Sequence, residues 1–241
     1  MKLSIIVPVF NEEKTVSFIL EKLVRLHLIE NIQKEIIIVD DGSQDSTPAK
    51  VKEFIRKIKE RNITFFIKPI NQGKGSAVKK GIEIASGDYI IIQDADLEYD
   101  PQQINILLKF LIKEKVQVVF GSRLNRLPNF FNEERRPQFL LHYLGNRFLS
   151  LLTSMLFLQW ITDMETCYKL FPRKAFDKIS LNSKGFDIEP EITTKLIKRG
   201  YHIYEVPIVA VPRGYEDGKK LNTLKDGTKA LKTLFYYRFT N

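Results

Sequence analysis

Short runs of β-branched and aliphatic residues recur through the first half of the chain, and each leads into a stretch whose apolar positions have helical spacing. Leu3–Val9 precedes a pattern through Ile19, Leu20, Leu23, Val24 and Leu28, and Ile36–Val39 follows it. The alternation predicts a helix over Pro48–Lys59, a strand at Ile63–Ile67, a helix at Gly75–Ala85, a strand at Tyr89–Gln93, a helix at Pro101–Ile112 and a strand at Val116–Phe120. Near-continuous Val and Ile runs separated by helices point to an α/β fold, a mostly parallel sheet covered by helices on both faces. Ligands of such sheets bind outside the carboxyl ends of the strands, so the residues just after each run are the ones to inspect.

The rhythm changes after Ser122. A stretch rich in Pro, Asn and Arg leads to Pro137 and a long apolar helix, about Leu140–Leu158. A short strand at Tyr168–Phe171, a helix over Pro190–Arg199 and a strand at Tyr201–Val206 follow. The chain then runs through a polar loop, Arg213–Asn222, into a basic amphipathic helix, Leu224–Phe239. With no internal repeat and no low-complexity linker, the expectation is one domain over 1–241, in which the alternating segment spans 1–122 and the remainder 123–241.

A content of 44% hydrophobic and 28% charged residues excludes a disordered chain. The single Cys167 excludes an intrachain disulfide and suits a reducing, cytoplasmic setting. The Leu3–Val9 run, broken by Pro8 and Asn11-Glu12-Glu13, is neither a signal peptide nor an anchor, and Phe148–Ile161 falls short of the ~20 residues a spanning helix needs. With 38 Lys and Arg against 29 Asp and Glu, the net charge of +9 leaves phosphate-rich substrates, nucleic acid and an anionic membrane surface as partners. Neither an aromatic stacking strip nor a recognition helix is recognisable, which puts nucleic acid last.

The strand ends carry the chemistry. The first is Pro8-Val9-Phe10-Asn11-Glu12 and the second Asp40-Asp41-Gly42-Ser43-Gln44-Asp45. Ser43 or Asp45 can cap the next helix and Gly42 permits a tight turn, but capping needs one acceptor and leaves Asp40 and Asp41 to explain. The fourth strand ends in Asp94-Ala95-Asp96. In extended chain, residues two apart share a face, so Asp94 and Asp96 converge, and paired hard oxygen ligands suit Mg²⁺ or Mn²⁺ on a nucleoside diphosphate. A solvated acidic turn is the plain alternative. Asn71-Gln72-Gly73-Lys74-Gly75 opens a helix, placing backbone N–H groups and a lysine at the same rim. It lacks the spacing of a P-loop or a dinucleotide fingerprint. His27, His142 and His202 are scattered and are read as structural or surface residues.

Together, Pro8-Val9-Phe10-Asn11-Glu12, Val39-Asp40-Asp41-Gly42-Ser43, Asn71-X-Gly73-Lys74-Gly75 and Asp94-Ala95-Asp96 resemble a family 2 glycosyltransferase of the Rossmann-like GT-A fold. Gly121-Ser122-Arg123, Thr162-Asp163, Cys167-Tyr168-Lys169-Leu170-Phe171, Phe186-Asp187-Ile188-Glu189 and Arg213 with Gly218-Lys219-Lys220 are similar to the dolichyl- or polyprenyl-phosphate hexose synthase branch. The resemblance implies an inverting hexosyltransferase, with glucose or mannose moved from a UDP- or GDP-sugar to polyprenyl phosphate. A glycan or other hydroxyl acceptor is the alternative.

It implies a donor site of Pro8, Val9, Asn11, Glu12, Asp41, Gly73, Lys74, Asp94, Ala95 and Asp96, with Asp94 and Asp96 at the ribose and the Mg²⁺ or Mn²⁺ ion. Arg213 and Lys219 would close over the diphosphate. Arg123 and Arg136 would hold the acceptor phosphate, and Asp163 would orient the acceptor or serve as base for a hydroxyl. Asp187 is a further candidate for a sugar or acceptor contact. The two helices Leu140–Leu158 and Leu224–Phe239 either pack on the domain or touch a membrane surface peripherally.

Overall fold

The computed structural model describes residues 1–58, 62–124, 137–211 and 223–240. The elements run β1 (Lys2–Val9), α1 (Val16–Arg25), β2 (Gln33–Asp40), α2 (Thr47–Ile58), β3 (Ile63–Ile67), α3 (Lys74–Ile84) and β4 (Tyr89–Ile92). Then come α4 (Ile104–Lys113), β5 (Val118–Ser122), α5 (Pro137–Phe157), β6 (Lys169–Pro172), α6 (Ile188–Lys198), β7 (Ile203–Pro207) and α7 (Thr223–Phe239).

The strands form one sheet in the order β3-β2-β1-β4-β6-β5-β7. β3, β2, β1 and β4 are mutually parallel, and β5 is parallel to β7. β6 is antiparallel to both of its neighbours, β4 and β5. The chain thus keeps the expected parallel α/β layout with one reversed strand. Leu3, Ile5, Ile6 and Val7 of β1 are fully buried, which accounts for their unbroken apolar run. Helices on both faces cover the sheet, each turning one stripe inward: Val16, Ile19, Leu20 and Leu23 in α1, and Ile104, Leu107, Leu108 and Leu111 in α4.

Two features of this topology position a site. The strand order leaves β1 in one direction toward β2 and in the other toward β4, so a crevice opens at their carboxyl ends. The opposite end of the sheet is closed by Glu35. Its carboxylate accepts from the Lys2 ammonium at 2.5 Å, the Ser4 hydroxyl at 2.5 Å, and the N–H and hydroxyl of Ser86 at 2.7 and 2.6 Å. Burial pulls the Glu35 pKa upward, but these donors together outweigh it and hold the group down at about 2.

Because the folded value lies below the ordinary 4.5, the ionised form contributes stability above that pH, and the contribution fades as pH falls from 4.5 toward about 2. Glu35→Gln should lower the melting temperature at pH 7, and the gap to the parent should narrow across that acid window in thermal melts. A gap of constant size would remove the carboxylate from this role.

Candidate active site

Because β1, β2, β4 and β5 run in the same direction, their carboxyl ends open on one rim. Pro8, Val9, Phe10 and Glu12 follow from β1, Asp41 from β2, Asp94 to Asp96 from β4 and Arg123 from β5. They line a cleft of about 310 Å³, walled also by Lys74 of α3, His142 of α5 and Glu189 of α6. That volume is at the small end of the usual range for ligand sites.

The donor-side loops are laced by their own polar groups. The Asp40 carboxylate accepts from the Ser43 N–H at 2.9 Å, closing a turn in which Gly42 has φ +73°. A Cβ there would lie 2.6 Å from the Ile70 carbonyl carbon, so both conformation and space demand glycine. Asp45 accepts from the Thr47 N–H at 2.9 Å and starts α2, while the Thr47 hydroxyl accepts from the Glu12 N–H at 2.8 Å. Asn11 belongs to this lacing: its N–H donates to Ser43 Oγ at 2.9 Å, and its Oδ1 accepts from the Gln44 N–H at 2.8 Å. Buried Asp41 accepts from the Lys68 ammonium at 2.5 Å and from the Gln72 and Gly73 N–H groups at 3.0 and 2.5 Å.

The N–H groups that the glycine loop brings to the rim are bonded within the protein itself. The Gly75 and Ser76 N–H groups donate to the carbonyls of Gly185 and Lys184, each at 3.2 Å, and Gly73 at φ +99° leaves no room for a Cβ against the Lys184 carbonyl. The glycines serve a close backbone approach, and the N–H groups of Gln72, Gly73, Gly75 and Ser76 already have acceptors within the protein. The Lys74 ammonium lies 2.8 Å from Asp94 Oδ2 and 3.0 Å from Glu189 Oε1, while Lys169 reaches the other Glu189 oxygen at 2.6 Å. Burial works against the Lys74 charge, yet the anionic groups around it, Asp94 foremost, raise its pKa well above the ordinary value.

β4 ends at Ile92, so Asp94 and Asp96 both reach the cleft from a turn, with Leu97 at φ +65°, rather than from the pleat of a strand. Buried Gln93 holds the turn, donating to the carbonyls of Asp94 and Tyr99 at 3.0 and 3.3 Å and accepting from the Tyr168 hydroxyl at 2.5 Å. The Glu98 N–H closes it on Asp96 Oδ1 at 3.1 Å.

Among the described residues, no three or more His, Cys, Asp or Glu are grouped to hold a metal by themselves. The donor set still suits Mg²⁺ or Mn²⁺, which bind through one or two carboxylates plus substrate phosphates. Glu12, Asp41, Asp94, Asp96, Glu98, Glu165 and Glu189 face the described cleft against only Lys74 and Arg123 as fixed cations. An anionic diphosphate needs added positive charge there.

On the acceptor side, Asp163 is fully buried and grips Arg123 with both oxygens, receiving Nε and a terminal guanidinium nitrogen at 2.7 Å each and the Arg123 N–H at 2.9 Å. Tyr99 stacks below the guanidinium, 5.8 Å from ring centre to Cζ. Glu205 of β7 fixes the loop by accepting from the N–H groups of Thr162 and Asp163 at 2.8 and 3.0 Å. Asp163 therefore stands behind Arg123 rather than open to an acceptor hydroxyl. Asp187 accepts from the Gly185 N–H at 3.0 Å, beside the glycine loop.

Sequence reasoning set His142 aside, and the structure puts it in the cleft wall. It also passed over Glu165 and Tyr99, which no motif spacing distinguishes. Arg136, Arg213, Lys219 and Lys220 lie outside the described residues.

Comparison with known proteins bears on the family and the fold. The chain is 29% identical over 252 residues to a dolichyl-phosphate beta-glucosyltransferase of Dictyostelium discoideum, covering 98% of this chain and 74% of that one. Over 132 residues it is 34% identical to an undecaprenyl-phosphate 4-deoxy-4-formamido-L-arabinose transferase of Proteus mirabilis, covering 55% of this chain and 40% of the other. Among solved structures, glucosyl-3-phosphoglycerate synthase of Mycobacterium tuberculosis, crystallised with Mn²⁺, UDP-glucose and glycerol 3-phosphate, superposes with a TM-score of 0.72. It is 20% identical and matches 100% of this chain and 81% of its own, a likeness of fold that is GT-A. The model of the family described as Glycosyl transferase family 2 matches residues 4–180, which hold six of the seven described strands and all the described cleft residues except Phe186 and Glu189. On that match the chain belongs to glycosyltransferase family 2.

Proposed function

We propose that the enzyme transfers a hexose, glucose or mannose, from a UDP- or GDP-sugar to polyprenyl phosphate with inversion at the anomeric carbon. The observation that carries this reading is the cleft itself: a carboxylate-rich donor wall faces Arg123, the one arginine among the described lining residues, whose guanidinium is fixed in plane by Asp163. An arginine so held presents its remaining N–H groups to a phosphate. The named activities of the Dictyostelium and Proteus relatives support a lipid-phosphate acceptor.

In this reading Pro8, Val9, Glu12 and Asp41 contact the nucleoside, and Asp94 and Asp96 meet the ribose and a Mg²⁺ or Mn²⁺ ion. The ion, when bound, neutralises charge on the departing diphosphate. Lys74 screens Asp94 and Glu189 so that the donor does not meet their full charge. Arg213 and Lys219 close over the diphosphate, and Arg136 joins Arg123 at the acceptor. Asp163 is the positioning residue behind Arg123. A phosphate monoester is already largely dianionic near pH 7, its second pKa being about 6, so it attacks with little help from a base.

No described helix is long and apolar enough to cross a membrane. α5 nevertheless exposes Leu141, Leu144, Phe148, Leu151 and Met155, spaced three and four residues apart on one face. α7 instead buries Ala230, Leu234 and Tyr237 against the domain. The α5 stripe, next to His142 of the cleft wall, supports peripheral contact with the membrane that carries the acceptor.

Incubation with labelled UDP-glucose or GDP-mannose, Mn²⁺ and polyprenyl phosphate should carry label into the organic phase. Label that stays aqueous with both donors would rule the lipid acceptor out. Asp96→Ala should reduce transfer by about 10²-fold or more with little change in melting temperature. Full activity would remove Asp96 from the donor site. Leu144→Glu combined with Phe148→Glu should weaken co-sedimentation with anionic phospholipid vesicles while leaving the melting temperature near that of the parent. Undiminished co-sedimentation would clear this face of the contact.

A further inference from the structure

The carboxyl group of Glu165 has no share in the roles above. Glu165 lines the wall two residues beyond Asp163, on the same loop that fixes Arg123. Its Oε1 is buried and has no hydrogen-bond partner. A buried acceptor left unpaired lowers stability, so such a group is uncommon unless a ligand completes it.

The charges around it come from four directions. Lys169 of β6 and Arg123 beyond β5 favour the ionised form, and Glu189 of α6 and Asp163 disfavour it. Asp94, Cys167 and His142 share the cleft. Burial is the largest influence, and the pKa is pushed up to about 7. Glu165 is therefore a carboxyl group that exchanges its proton in the neutral range, beside the arginine assigned to the acceptor phosphate.

We propose that Glu165 is an acceptor-binding residue that keeps one proton between itself and the polyprenyl phosphate, taking it from the phosphate monoanion and donating it back as a hydrogen bond to a non-attacking oxygen of the dianion. This rests on the lipid-phosphate reading. The direction of transfer follows from the two acidities, about 6 for the monoester and about 7 for Glu165. Two anions side by side repel, and one shared proton removes the repulsion while completing the unpaired oxygen.

The chemistry balances. A lone pair of a phosphate oxygen forms the bond to the anomeric carbon, and the bond from that carbon to the diphosphate oxygen breaks, its electron pair leaving with the nucleoside diphosphate. The proton on Glu165 is not consumed. The product diester carries a single charge and no longer holds the proton, which passes to water on release.

Calorimetric titration with farnesyl phosphate at pH 8, in two buffers of different protonation enthalpy, tests this directly. At that pH both free groups are mostly ionised, so the parent enzyme should take up about one proton per ligand bound, and Glu165→Gln and Glu165→Ala should take up nearly none. Kinetics of the parent alone provide a second measurement. The KM for polyprenyl phosphate should rise by up to about tenfold per pH unit above pH 7. Equal proton uptake by parent and Gln variant would overturn the role of Glu165 and leave the acceptor assignment standing. A folded Gln variant that binds farnesyl phosphate without proton uptake yet has lost all transfer would also overturn it, because it makes Glu165 a base. Failure of the parent to bind farnesyl phosphate at any pH would instead overturn the lipid-phosphate reading, and this proposal with it.

Discussion

The ammonium of Lys74 holds together segments of the chain that are far apart in sequence. It sits between Asp94, beyond β4, and Glu189 on α6, and Glu189 is shared with the fully buried Lys169 of β6. Four elements meet in this one ionic network. Removing one member would strand an uncompensated charge in a nearly dry site, at a cost of about 3–5 kcal/mol. The glycines of the loop opening α3 belong to the same arrangement, since their lack of side chains lets the start of α3 press against the backbone of Lys184 and Gly185 and so brings Lys74 within reach of Glu189.

That network determines the electrostatics of the cleft. Lys74 is committed to two carboxylates and Arg123 to Asp163, so the described walls remain acidic although the chain as a whole carries a charge of +9. Much of the excess positive charge lies elsewhere, for example on the exposed Lys225, Lys229, Lys232 and Arg238 of α7. The basic composition therefore says little about how a phosphate is held. In the proposed reading, a nucleoside diphosphate entering this cleft meets fixed negative charge, which a cation beside it would offset.

Most of the architecture was legible because burial writes itself into the spacing of apolar residues. β1, β2, β3 and each described helix lie within a few residues of where periodicity places them. The direction of β6 was not legible: all four of its residues are buried whichever way it runs, and the antiparallel pairing follows from the long excursion through α5. The lining of the cleft was legible where motifs sit at strand ends, as with Asp41, Asp94 and Asp96. It was misread where a side chain's partner lies far off in sequence. Asp163 looked open to an acceptor until Arg123 was seen on it, forty residues away. His142 and Glu165 stand in unremarkable sequence surroundings, and only the packing of α5 and the loop before β6 brings them to the cleft.

In the proposed reading, the acidic cleft at the carboxyl ends of β1, β2 and β4 takes a nucleoside diphosphate only together with a divalent cation. Calorimetric titration of the protein with UDP and with GDP, each in Mn²⁺ and again in EDTA, addresses it without reference to any acceptor. The account predicts saturable binding of at least one of the two nucleotides in Mn²⁺ and its loss in EDTA. Equal affinity in Mn²⁺ and EDTA would contradict it.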